Sequence, residues 1–248
     1  HGYIVSLITA EGQADQYISR IIERQMDGFF MTDFDFRFTR EQYEHMNQHG
    51  VRFVIGEGST FADDSNEGLP SSRIAINYTD AIRDMFMYLK DMGHRQVAYL
   101  SGNDENITEV RKKEYCRWVR ELGFDEDPSL IILGEPPHST LAQDGYRDMN
   151  KLLKQRPGIR AVFTLNDLMA IGAMKAIREA GLRVPEDISV VGCDDIYLSE
   201  AINPPLTTIH IPKFRIGNIA MELLLEMFEG APFRSVSVHP ELVIRDTV

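Results

Sequence analysis

The sequence predicts an α/β protein built from doubly wound parallel sheets and divided into two lobes, and three observations carry that expectation. Apolar runs of strand length alternate without a break with segments of helical periodicity. Near residue 96 the alternation begins afresh and runs for a similar length. In the second set, residues 161–195 (AVFTLNDLMAIGAMKAIREAGLRVPEDISVVGCDD) form one strand, helix, strand unit whose strands end in polar pairs, Asn166-Asp167 and Asp194-Asp195. Ligands of open parallel sheets bind beyond the carboxyl ends of the strands, so this unit points to a small-molecule site.

Taken in order, residues 3–9 (YIVSLIT) are a continuous apolar run, as in a strand covered on both faces. A helix over roughly 13–25 follows, with Tyr17, Ile18, Ile21, Ile22 and Gln25 tracking one face. Next come strand 28–32, helix 39–48, strand 51–55, a polar loop from Glu57 to Ser72, strand 73–76 and helix 79–92. The second set opens with strand 97–101, helix 108–122 closed by Gly123, strand 130–133 and helix 140–154. In the unit at 161–195, Asn166 can cap the helix and Asp167 suits its positive end. Ile171, Met174 and Ile177 share a face, and Gly181 stands where a left-handed residue is wanted. Gly172 is discordant: in mid-helix it costs about 1 kcal/mol against Ala, so a close approach by a strand or another helix is expected. Strand 206–209, helix 212–229 with Pro212 in its first turn, and strands 235–238 and 241–245 finish the chain. No Gly/Ser-rich or Pro-rich linker separates the sets, so a short hinge between lobes facing a cleft is expected.

Composition narrows the function classes. With 248 residues, 43% of them hydrophobic, the chain can bury a full core. Its formal charge is −12 with no Lys/Arg-rich run, which makes this segment a poor nucleic-acid binder by itself. No stretch approaches the ~20 apolar residues of a membrane span. The opening HGYIVSLITAEGQ lacks the basic flank and cleavage site of a signal peptide, and a start on His1 leaves open what precedes it. Cys116 and Cys193 have no C-x-x-C spacing and read as small buried fillers in a reducing cytosol, so the expected location is cytoplasmic.

Catalytic and metal motifs fare poorly. GEGSTF at 56–61 has two glycines of a dinucleotide fingerprint, but Phe61 takes the third place and a loop follows. There is no G-K-[ST] and no G-x-S-x-G. His45 and His49 are spaced i, i+4 without partner ligands, which favours a solvated helix face over a metal site. Asp194 and Asp195 point to opposite faces of an extended chain, so one at a ligand and the other capping the next turn is the economical arrangement. Arg111, among Glu109, Lys112 and Lys113, reads on its own as a surface charge. Neither a metal nor a cofactor is expected, and no enzyme.

The run VFTLNDLMAIGAMKAIREAGLRVPEDISVVGCDD, followed by NPPLTTIHIP and a Leu-rich helix, resembles the effector-binding core of LacI-type bacterial transcription regulators. MGHRQVAYLSG at 92–102 resembles that family's other hallmark, and the likeness runs from about Gly2 to Arg245. It implies a periplasmic-binding-protein-like pair of lobes joined by three crossovers: an N-lobe of 1–76 plus 211–238 and a C-lobe of 77–210 plus 239–248. Members sense a small metabolite, often a sugar or purine, in the cleft, and lobe closure resets the DNA-reading heads of a homodimer. Carried over by position, the effector contacts fall on Arg111, Asn166 and Asp194, with Thr32 and Glu57 lining the cleft from the N-lobe. A guanidinium, a carboxylate and an amide suit vicinal hydroxyls or a carboxylate. The dimer contact falls on the helix starting at Asp167 and the turn around 198–204.

Departures from the family pattern bear on the ligand. The position of the usual aromatic platform is about Thr140, with only His138 nearby; Ile211 replaces a polar residue and Glu114 a glycine. GYIVSLIT aligns with the family's second strand, so upstream residues carrying the first strand, the first helix and a helix-turn-helix head are expected. A solute-binding protein of a transporter is the rival reading on the same fold, and VPEDISVVG and PPLTTI favour the regulator. An enzyme on the same scaffold is a third and lacks any nucleophile and base pair.

Overall fold

The computed structural model describes residues 14–31, 37–56, 60–61, 71–102, 107–135 and 139–248. The chain divides into two compact units: unit 1 is His1–Ala75 with Lys213–Val238, and unit 2 is Ile76–Pro212 with His239–Val248.

Unit 1 contains, in chain order, α1 (Ala14–Glu23), β1 (Gly28–Met31), β2 (Arg37–Phe38), α2 (Arg40–Gln48), β3 (Arg52–Ile55), β4 (Thr60–Phe61) and β5 (Ser72–Ile76). α8 (Lys213–Phe228) and β11 (Ser235–Val238) return to it. Its main sheet runs β1-β3-β5-β11, with β1, β3 and β5 parallel. β3 shows why its apolar run has no polar alternation. Phe53 and Ile55 pack with Ile18, Ile21, Tyr43 and Met46 of α1 and α2, while Val54 packs with Ala220, Leu223, Leu224 and Met227 of α8. Successive side chains point to opposite faces, and both faces are covered by helices. α2 starts with a capping box, Thr39 accepting from the Gln42 amide and Gln42 accepting from the Thr39 amide. The expected strand at 3–9 lies outside the described residues. The two-residue pairing of β2 with β4 had no sequence signal, since a ladder that short has no periodicity to read.

Unit 2 comprises α3 (Thr79–Asp91), β6 (Ala98–Gly102), α4 (Ile107–Glu121), β7 (Ile131–Leu133), α5 (Ala142–Gln155), β8 (Ala161–Thr164), α6 (Asp167–Glu179), β9 (Ser189–Asp194), α7 (Tyr197–Ala201), β10 (Thr207–His210) and β12 (Glu241–Val243). Its sheet order is β7-β6-β8-β9-β10-β12, parallel except for β12, which runs antiparallel to β10. Read from β7, the five parallel strands follow the 2-1-3-4-5 order of a doubly wound sheet, with its switch point between β6 and β8. One face packs on α5 and α6 through Met149, Leu152, Met169, Ala173 and Ile177. The other carries an aromatic chain: Tyr99 stacks between Tyr115 and Phe163, and Phe86 of α3 meets Tyr115 and Phe124.

The unit at 161–195 forms as expected. Asn166 caps α6, accepting from the Met169 amide at 2.9 Å, and Gly181 closes it at φ +78. Gly172 meets a helix: a Cβ there would lie 1.8 Å from the Ala142 carbonyl oxygen of α5. Gly145 on α5 is equally constrained, its Cβ falling 2.1 Å from the Met169 oxygen. Two glycines therefore let the backbones of α5 and α6 touch. α7 was expected only as a turn, five residues being too few to show a helical repeat.

Candidate functional site

Three of the five nominated residues lie in unit 2, at the carboxyl end of a strand, in the turn that follows one, or in the helix after it. Arg111 sits early in α4, after β6; Asn166 follows β8; Asp194 ends β9. Thr32 and Glu57 lie outside the described residues.

Arg111 is not a surface charge. It is 4% exposed, because it begins the same helical stripe that buries Tyr115, Trp118 and Val119. That stripe was the sequence signal for its burial. Its Nη1 donates to the Leu165 carbonyl, and its Nη2 donates to the Tyr78 phenol oxygen at 2.7 Å and to Asp194 Oδ1 at 3.2 Å. The guanidinium carbon also lies over the Tyr78 ring, 4.7 Å from its centroid. Burial disfavours the cation, yet Cys193, Tyr78 and Asp194 together hold Arg111 well above the ordinary range. Among the described residues Nε has no acceptor. A guanidinium has five N–H donors, and three are used here.

Asp194 is held in a backbone region that residues with a Cβ rarely enter, with φ +111. Strain of that kind costs on the order of 1–3 kcal/mol and collects where a side chain must be aimed. The ion pair with Arg111 leaves its carboxylate partly exposed, at 28%. Asp195 follows at φ +51 and turns the other way. Its Oδ1 meets Arg245 Nη2 at 2.7 Å and its Oδ2 meets His210 Nδ1 at 2.8 Å. Burial would raise its pKa, but the hydrogen bonds from Arg245 and His210 bring it below the usual carboxylate value. Asp195 therefore does not cap the next turn, contrary to the expectation from sequence. Asp167 takes that place: its Oδ2 accepts from the Ile196 amide at 2.8 Å and from Ser199 Oγ at 2.7 Å, and its Oδ1 accepts from Thr208 Oγ1 at 2.5 Å. Asp167 is fully buried, and burial raises its pKa against those three donors.

Asn166 is spent largely on structure. Its Oδ1 caps α6, and its Nδ2 donates to the Thr140 carbonyl at 2.9 Å, where Thr140 itself stands at φ +54. One amide hydrogen of Asn166 is not accounted for by that bond. Sequence reasoning missed Tyr78, which is 1% exposed and continues the buried stripe Ile82, Met85, Phe86, Leu89 of α3.

Other candidates resolve simply. His45 and His49 are both exposed, and His49 Nδ1 lies 2.8 Å from the His45 carbonyl. Among the described residues no group of three or more His, Cys, Asp or Glu could hold a metal. Neither cysteine is in a disulfide; Cys193 is buried, and Cys116 is only half-buried. Residues 57–59 of GEGSTF lie outside the described residues, and Thr60–Phe61 form β4. Among the described residues no helix is long and apolar enough to cross a membrane.

Comparison with known proteins identifies the family. The periplasmic binding protein-like domain family matches residues 86–248. A Vibrio atlanticus protein named HTH-type transcriptional repressor PurR is 35% identical over 256 residues, covering the whole chain and 72% of that protein. Its namesake from Pasteurella multocida is 43% identical over 166 residues, 65% of the chain and 48% of that protein, so this match spans about half of its relative's length. Among solved structures, a LacI-family regulatory protein from Chloroflexus aggregans is 27% identical, with a TM-score of 0.77 over 95% of the chain and 81% of its own. A LacI-family regulator from Enterococcus faecium with bound ribose shares the fold at 23% identity, with a TM-score of 0.81 over 97% of the chain and 86% of its own. The chain belongs to the periplasmic-binding-protein-like family, as the effector-binding core of a LacI-type transcription regulator.

Proposed function

We propose that the chain senses a small polyhydroxylated metabolite, a sugar or sugar derivative, through Arg111 and Asp194, with Asn166, Thr32 and Glu57 as further contacts carried on the family resemblance. The observation that supports this most is the buried Arg111 guanidinium paired with an Asp194 whose carboxylate is aimed from a strained backbone. A donor beside an acceptor suits a hydroxyl, which gives one hydrogen bond and receives another. Because Asp194 already balances the charge of Arg111, a neutral effector fits better than an acid. The ribose held by the Enterococcus faecium regulator is of that chemical class.

Binding alters populations of conformations and carries out no reaction. The protein acts in the cytoplasm as a homodimer, and DNA is read by a helix-turn-helix head of the kind that the relatives' names print. The repressor names of the relatives favour this over a transporter's solute-binding protein.

A thermal-shift screen of sugars, sugar acids, sugar phosphates and nucleobases tests the reading. A ligand at 100 times its Kd stabilises by about 2.7 kcal/mol, a shift of several degrees. Neutral sugars are expected to give the largest shifts, and Arg111→Ala to abolish them. Asp194→Asn keeps the shape and loses the charge-assisted bond, which weakens binding roughly 10- to 100-fold. Shifts that persist unchanged in both variants would overturn the assignment.

A further inference from the structure

Tyr78 has a place in the site that its position in the chain does not announce. It is the third residue of unit 2 and the N-cap of α3, where its side chain makes no capping hydrogen bond. Its phenol oxygen accepts from Arg111 Nη2 at 2.7 Å, and its ring supports the same guanidinium at 4.7 Å. One residue thus controls both the plane of the arginine and the direction of one of its N–H groups. The helix behind it is rigid: Ile82, Met85, Phe86 and Leu89 have no solvent exposure at all.

We propose that Tyr78 is a positioning residue that orders Arg111 before any effector arrives. The two hydrogens of Nη2 go to Tyr78 and Asp194, and one of Nη1 goes to the Leu165 carbonyl. Among the described residues Nε is buried without an acceptor, so the effector is offered a single defined Nη1 hydrogen beside the Asp194 carboxylate, in place of a rotating two-pronged fork. This arrangement favours a hydroxyl over a carboxylate or phosphate, whose paired oxygens need two parallel donors. A guanidinium ordered in advance also spares the effector the entropy of fixing it. A phenylalanine would fill the same core volume and support the same cation, so the phenol oxygen is what separates a positioning role from a packing one.

The inference rests on Arg111 as an effector contact, and its test needs no effector. Isotope-labelled wild type, Tyr78→Phe and Arg111→Lys are compared by nitrogen-detected NMR of the arginine side chains, Arg111→Lys assigning the Arg111 signals by their disappearance. Wild type is expected to show separate terminal N–H signals for Arg111, the mark of hindered rotation. In Tyr78→Phe the Nη2 pair should merge while near-ultraviolet circular dichroism stays native. Arg111 signals that are unchanged in Tyr78→Phe, or already averaged in wild type, would refute the positioning role. That result leaves the effector assignment standing, and loss of the effector assignment in the Arg111→Ala thermal-shift experiment leaves the restraint standing.

Discussion

At the scale of single residues, environment decides what each ionisable group does. His94 is half-buried, with Nε2 3.0 Å from Ser189 Oγ, and burial together with Arg160 lowers its pKa below 6.5. A histidine depressed in the folded state contributes stability that is full above its unfolded value and lost as pH falls through the folded one. The urea midpoint of wild type should therefore decline from pH 7.5 to pH 5, and His94→Gln should decline less. Equal slopes for the two proteins would show that His94 is not the group responsible. The same logic explains what sequence could show at this scale. Arg111 looked like a surface charge because its neighbours in sequence are charged, although it lies on the stripe of Tyr115 and Trp118. Asp167 was legible as a residue at a helix start, but its three partners come from β10, α7 and the residue that precedes α7, and no local pattern reveals a donor 41 residues away. The strained φ of Asp194 has no signal in residue type at all.

At the scale of elements, helices and parallel strands were readable because their periodicity is set by burial on a sheet, and the described boundaries differ from expectation by a residue or two at most ends. What escaped was too short to repeat: β2, β4 and α7. Gly172 was legible as an anomaly and needed the fold to become an explanation. Its energetics can be set against an internal control. Gly172→Ala gains about 1 kcal/mol of helix propensity but drives a methyl group to 1.8 Å from the Ala142 oxygen, and neither backbone can yield without separating α5 from α6. A net loss of about 3 kcal/mol or more is expected. Gly217, also within a helix, is exposed with nothing within 4 Å of its missing Cβ, so Gly217→Ala should stabilise by up to about 1 kcal/mol. Chemical denaturation of both variants checks the pair, and a Gly172→Ala protein as stable as wild type would mean that the crossing is looser than these distances state.

At the scale of the whole molecule, the chain has a surface that its own fold leaves uncovered. Tyr197 is 87% exposed and its neighbour Leu198 is 47% exposed, both on α7. Large aromatic and aliphatic groups displayed together mark an association surface more often than solvent-facing decoration. α7 is also fixed rather than loose, because Asp167 accepts from the Ile196 amide and from Ser199 Oγ and ties both to Thr208 of β10. A rigid, apolar, displayed turn is suited to a self-complementary contact across a two-fold axis, in which each copy presents the same residues. The homodimer proposed above would use this face. Tyr197→Asp with Leu198→Asp removes the apolar area and sets like charges against each other, without touching the Asp167 cluster. Sedimentation equilibrium at tens of micromolar should give the mass of two chains for wild type and one for the double variant, with effector-induced thermal shifts retained. A wild type that sediments as one chain would sink the dimer proposal, and a variant that remains a dimer would move the contact away from α7.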